Sequence, residues 1–158
     1  MILTPFSHGI TARIADEDLS AFDYVFCWLG NTDLLVSIIK LIEDKMNLEH
    51  DVAEVGVQLI LLVEDGIRFY SSVLPNLYKF VLKQSQEFST EALNAHQRTL
   101  RMRGRPKIVL ARTYDEAITI YGKYKNNILG VITDVRFPRV ERGEKDGLLS
   151  LIHISEPT

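Results

Sequence analysis

Glu64 and Asp65 are adjacent carboxylates placed directly behind an apolar run, Val57 to Val63, that is broken only by Gln58. A second short apolar run, Ile128 to Thr133, ends in the same way, on Asp134, and is followed by Val135-Arg136-Phe137-Pro138. If the two runs are neighbouring strands, the three carboxylates meet at one end of a sheet. Carboxylates held that close raise one another's pKa values unless a cation sits among them. The hard, oxygen-seeking Mg²⁺ suits such a set, and it is the cofactor the sequence leads one to expect.

The elements that must position these groups follow from pattern. A run too uniformly apolar to alternate reads as a strand with both faces covered by helices, as in a parallel α/β sheet. A buried helix segment is the competing reading, and the shortness of the run between Gly56 and Gly66 favours the strand. In such sheets ligands bind outside the carboxyl ends of the strands, where Glu64, Asp65 and Asp134 would lie. Lys107 to Ala111 reads as another strand, and Thr113 with Glu116 has capping-box spacing, predicting a helix through Ala117, Ile118, Ile120 and Tyr121. Strand, helix and strand at this spacing make a right-handed parallel unit.

Upstream, Ile2-Leu3-Thr4-Pro5 reads as a strand end with little before it, and Ser7 as the cap of a short helix over His8 to Ala15. Asp23 to Trp28 reads as a strand rich in aromatic and β-branched residues. From Thr32, the spacing of Leu35, Ile38, Ile39, Ile42 and Met46 predicts an amphipathic helix of about four turns buried on that face. Asn47 to Gly56, polar and acidic, reads as a connection and a domain boundary. After Asp65 a helix begins near Ile67. Pro75 is expected to kink or restart it, the pattern runs to about Glu87, and Ser89 and Thr90 restart it for Ala92 to Met102. That stretch is long for one crossover.

Composition bounds the rest. With 158 residues, 46% hydrophobic and 25% charged, the chain has the make-up of a globular protein with one core or parts of two. A net charge of −3 implies no general attraction to nucleic acid or to an anionic membrane, and neither is expected as a partner. The lone Cys27, beside Phe26 and Trp28, reads as a buried inert thiol, which suits a cytoplasmic setting. No apolar run is long enough for a membrane span, and the first residues lack the layout of a signal peptide.

Together, Glu64-Asp65, Asp134 and Pro138, four residues beyond it, resemble response-regulator receiver domains, which carry an acidic pair after the first strand, a phosphate-accepting aspartate after the third and a proline beyond it. The resemblance covers Val57 to about Gly147 and implies a flavodoxin-like parallel sheet flanked by helices, with the long helical stretch as an insertion after the first receiver strand. It further implies Asp134 as phosphoacceptor, Mg²⁺ held by Glu64, Asp65, Asp134 and the backbone carbonyl of Arg136, and a histidine kinase or other phosphoryl donor as partner. Residues 1–50 are similar to the other end of a receiver, with Thr4 as the hydroxyl switch, Tyr24 to Trp28 as the fifth strand and Asn31 to Asn47 as the last helix. Leu29-Gly30-Asn31 stands where receivers have Lys-Pro, so this half looks degenerate.

The chain thus reads as residues 1–50 from one receiver and 57–147 from a second, truncated at both ends. Trp28 to Asn31, Lys40 to Asp44 and Arg101 to Lys107 resemble tandem receiver-like regions of large proteins related to phosphoenolpyruvate synthase, implying further domains of the same polypeptide as partners. Residues 148–158 resemble translated sequencing-adapter read-through and are left out of the fold reading. The five strands are expected to close one sheet, with 1–50 completing the sheet begun at Val57.

Other functional readings are weaker. Arg101, Arg103 and Gly104-Arg105-Pro106-Lys107 have the composition of a minor-groove hook, but a strand begins at once, so a solvated loop is expected. The four histidines lack zinc-ligand spacing. A phosphohydrolase with an aspartate nucleophile would need a second aspartate where Arg136 stands. The alternative to a phosphoaccepting domain is a pseudo-receiver used for homodimerisation or docking.

Overall fold

The protein is described from a computed structural model covering residues 1–5, 14, 22–90 and 104–133, with only the backbone considered at 88–90. Strands β3 (Leu59–Val63), β4 (Lys107–Ala111) and β5 (Ile128–Thr133) form a parallel sheet in the order β4-β3-β5. Their side chains alternate between two apolar layers, which is why the runs show no polar face. Leu62, Ile108 and Leu110 pack with Tyr70, Leu74, Tyr78 and Val81, while Leu59, Leu61, Val63, Val109 and Ala111 pack with Ala117 on the other side.

The crossover from β4 to β5 is helix α3 (Tyr114–Tyr124) and a 3₁₀ turn, Lys125–Asn127. Thr113 caps α3 as its spacing predicts: its hydroxyl accepts the Glu116 N–H at 3.2 Å. The Glu116 carboxylate reaches back to the Arg112 N–H at 2.8 Å, one residue earlier than the usual reciprocal bond. The long stretch after β3 is helix α2 (Ile67–Thr90), which runs through Pro75 without restarting. Of the predicted helix at 8–15 only Ile14 is described, and it is helical; the predicted helix at 92–102 lies outside the described residues.

Helix α1 (Asp33–Val55) corrects the reading of 47–56 as a connection. The helix continues to Val55 and stops because Gly56, at φ 68°, turns into the left-handed region, where a side chain is disfavoured. Its buried stripe is also not the predicted one. Leu34, Ser37, Ile38, Leu41, Asp44, Leu48 and Asp51 are buried, while Leu35, Ile39 and Met46 are exposed. The true stripe keeps helical spacing but includes three polar residues, so reading by apolarity alone sets the face about one residue off.

The expectation of a single five-stranded sheet is also corrected. Strands β1 (Ile2–Pro5) and β2 (Val25–Trp28) form a separate parallel pair, and β5 has no strand on its second edge among the described residues. The second edge of β2 is already occupied by helix α2. The Tyr70 hydroxyl donates to the Val25 carbonyl, and the Cys27 N–H donates to Ser71 Oγ at 2.9 Å. Side chains thus complete this edge where the flavodoxin-like arrangement expects none. The parallel α/β architecture itself stands: parallel strands alternate with helices. No helix among the described residues is long and apolar enough to cross a membrane.

Candidate functional site

β3 and β5 end level with each other, because Val63 pairs with Thr133. The Glu64 N–H continues the ladder by one bond, to the Ala111 carbonyl at 3.0 Å. Beyond it the chain turns. Glu64 folds its carboxylate back so that Oε1 accepts the Gly66 N–H at 2.9 Å, and the residue is only 8% exposed. A Cβ built at Gly66 would lie 2.9 Å from Glu64 Oε1, so a side chain there would oblige that carboxylate to shift. Glu64, Leu62, Phe69, Tyr70, Val73, Ile132 and Thr133 line a cavity of about 180 Å³ between the strand ends and the first turns of α2.

The predicted site residues divide in three. Glu64 lines that cavity together with Thr133, the residue before Asp134, and Asp65 next to it in the chain is exposed. Thr4 lies in the other sheet, opposite Cys27, with its hydroxyl directed to the Phe26 carbonyl at 3.4 Å. Asp134 and Arg136 lie outside the described residues. Among the described residues no three potential metal-ligating side chains gather. The two that are present are hard oxygen donors, one exposed and one buried, and that donor chemistry suits Mg²⁺.

The strongest electrostatic feature escaped the sequence reading. Asp44 on α1 is fully buried and binds Arg105 through both oxygens, at 2.6 and 3.1 Å. The same carboxylate accepts the Tyr78 hydroxyl at 2.9 Å and the Ile108 N–H at 3.0 Å. Lys107 reaches Asp51 at 2.8 Å and Asp44 at 3.7 Å. Arg105 and Lys107 are therefore buried, which corrects the solvated-loop reading at these two residues, while Arg101 and Arg103 lie outside the described residues. Burial works to lower the Arg105 pKa, but the hydrogen bonds and charge of Asp44 outweigh it and leave that pKa raised. Burial first, then Asp44, pushes the Tyr78 hydroxyl pKa well above its ordinary value. A signal was present: Ser37, Asp44 and Asp51 recur every seven residues, two helical turns apart, on the Leu34-Leu41-Leu48 stripe.

Cys27 is buried as expected, and burial raises its thiol pKa. The chain matches no family model, no curated protein and no solved structure.

Proposed function

We propose that the chain is a receiver regulatory module of a phosphorelay, which accepts a phosphoryl group on Asp134 from a histidine kinase or another donor. The observation that carries this reading is the in-register pairing of Val63 with Thr133 in parallel strands. Glu64 follows one and Asp134 the other, and neighbouring strands lie about 4.8 Å apart. Asp134 is one peptide link, about 3.8 Å between Cα atoms, from Thr133. The strand order β4-β3-β5 is also that of the second, first and third strands of a flavodoxin-like sheet.

In this reading an Asp134 carboxylate oxygen attacks the donor's phosphorus as the bond to its leaving group breaks, giving an acyl phosphate. Glu64, Asp65, Asp134 and the Arg136 carbonyl would hold Mg²⁺, which when bound supplies neutralisation of the phosphoryl oxygens. The added charge at the sheet end is the output signal. The test is incubation with acetyl phosphate or beryllofluoride with and without Mg²⁺. A Mg²⁺-dependent change of state that Asp134→Asn abolishes, with unchanged circular dichroism, supports the reading. No response in the wild type refutes it.

The fold-back of Glu64 onto the Gly66 N–H favours a second reading. A carboxylate used to stabilise its own turn suits a pseudo-receiver without phosphorylation, acting as a dimerisation or docking module of a phosphoenolpyruvate synthase-like multidomain protein. Mg²⁺ titration separates the two, because this reading requires no response from Asp65→Asn.

A further inference from the structure

We infer that α1 is a dimerisation helix, whose exposed apolar stripe pairs antiparallel with the same stripe of a second copy of this chain. The pairing gives the docking reading a surface, but it stands whether or not Asp134 accepts phosphate.

α1 carries two stripes. One is the buried stripe of Leu34, Leu41 and Leu48 with Ser37, Asp44 and Asp51. The other is Leu35, Ile39, Ile42 and Met46, at steps of four, three and four residues. That is the period of a seam between two helices. Leu35, Ile39 and Met46 are 44%, 63% and 78% exposed, Ile42 is half-buried, and Val36 beside them is exposed. α1 and the connections at both of its ends belong to the described residues. Five adjacent apolar side chains make a patch of roughly a few hundred Å², the size at which exposed apolar surface marks an interaction site.

Charge decides what covers it. The seam position after Met46 is Glu49, which binds Lys123 at 3.1 Å. In a parallel pair Glu49 would face its own copy, with like charges opposed. The antiparallel pair that sets Ile39 against the partner subunit's Ile42 has neither fault. Leu35 then meets the partner's Met46, and Glu49 falls level with the partner's Thr32, at the positive start of its α1. On the flank of the seam, Lys40 and Glu43 bind each other at 2.7 Å and are partly exposed. The same register brings Lys40 of each chain within one helical turn of the partner's Glu43, so opposite charges also meet across the two-fold axis. Val36 lines a cavity of about 360 Å³ between α1 and α2, beside the end of the seam that receives the partner's Met46, a flexible side chain suited to irregular space. A seam that matches its own reverse, flanked by charges that do the same, specifies a second copy rather than an unrelated protein. Both chains use one surface, so the contact closes at two.

The experiment is sedimentation velocity on the full chain over a range of concentrations. We expect a reversible rise from one chain to two and nothing larger. Ile39→Lys, at an exposed position, should keep native circular dichroism and the wild-type urea midpoint while holding the chain as a monomer. Register is read by disulfide cross-linking, in which the buried Cys27 does not compete. Leu35→Cys and Met46→Cys chains mixed in equal amounts should form a cross-linked dimer under mild oxidation. Neither variant alone should do so. At ~1.5 Å per residue the thiols of two like chains stand about 16 Å apart along the helices, beyond the roughly 7 Å between Cα atoms that a disulfide spans. A wild type that stays monomeric at every concentration overturns the inference, the stripe then being covered by another part of the chain or by a different protein. So does a dimer that survives Ile39→Lys, which places the contact elsewhere. Cross-linking of either variant alone shows a parallel seam and overturns the antiparallel pairing. A dimer of the expected register with no beryllofluoride response keeps this inference and removes only the phosphoacceptor reading.

Discussion

Replacing Asp44 with alanine removes the acceptor for four hydrogen bonds, two from Arg105 and one each from Tyr78 and the Ile108 N–H. Arg105 has a side chain only 3% exposed, so water cannot take the place of the lost carboxylate. Lys107 keeps Asp51 at 2.8 Å, but the nearest remaining carboxylate to Arg105 is that of Glu43, at 3.9 Å. Breaking one side of a buried pair typically costs about 3–5 kcal/mol. Against a total of roughly 5–15 kcal/mol for a domain, that is about a fifth of the stability or more. Urea unfolding should show the midpoint falling by more than about 1 M, with a slope of roughly 1–3 kcal/mol per M. The control is Asp44→Leu combined with Arg105→Met, which removes both charges and should recover much of the loss. A fall below about 1 kcal/mol for Asp44→Ala is what an exposed pair would give, and it would refute the buried-network argument.

Two further outcomes follow from the same packing. Burial raises the hydroxyl pKa values of Tyr70 and Tyr78 above the ordinary value near 10. The unfolded chain therefore ionises these groups first, so their contribution is complete below about pH 10 and is lost as pH rises toward the folded values. Urea midpoints should accordingly fall above about pH 10, and a Tyr70→Phe and Tyr78→Phe double variant should flatten that fall. Ser71→Ala should cost about 1–3 kcal/mol by leaving the Cys27 N–H unpaired, with faster hydrogen exchange at that amide; unchanged exchange would show that β2 is not held by α2.

The parallel sheet was legible because burial on both faces removes alternation, and few other structures leave Leu59 to Val63 and Ile108 to Ala111 so uniformly apolar. The α3 cap was legible because capping is local, decided by Thr113 and Glu116 alone. What failed was decided at long range. Residues 47–55 look like a loop in composition, yet they include the good helix formers Leu48, Glu49, Ala53 and Glu54 and no helix breaker before Gly56. Asp44 and Asp51 look solvent-facing until Arg105 and Lys107, far along the chain, are seen to meet them. Tyr70 and Ser71 meet the outer edge of β2, a use of side chains that no periodicity announces. Of the candidate site, the pattern located Glu64 and Asp65 at a strand end, but it did not foresee that neighbouring carboxylates would part, one folded inward and one exposed.

The order in which the Asp44 network comes into being has a consequence for synthesis. Asp44 emerges 61 residues before Arg105. At translation rates of about 5–20 residues per second, the carboxylate waits roughly 3–12 s for its partner. During that time α1 cannot bury the stripe containing Leu34, Leu41 and Leu48 without also burying an unmatched charge. The nascent helix is thus kept from settling early against whatever apolar surface is nearest, and it docks only once β4 has left the ribosome.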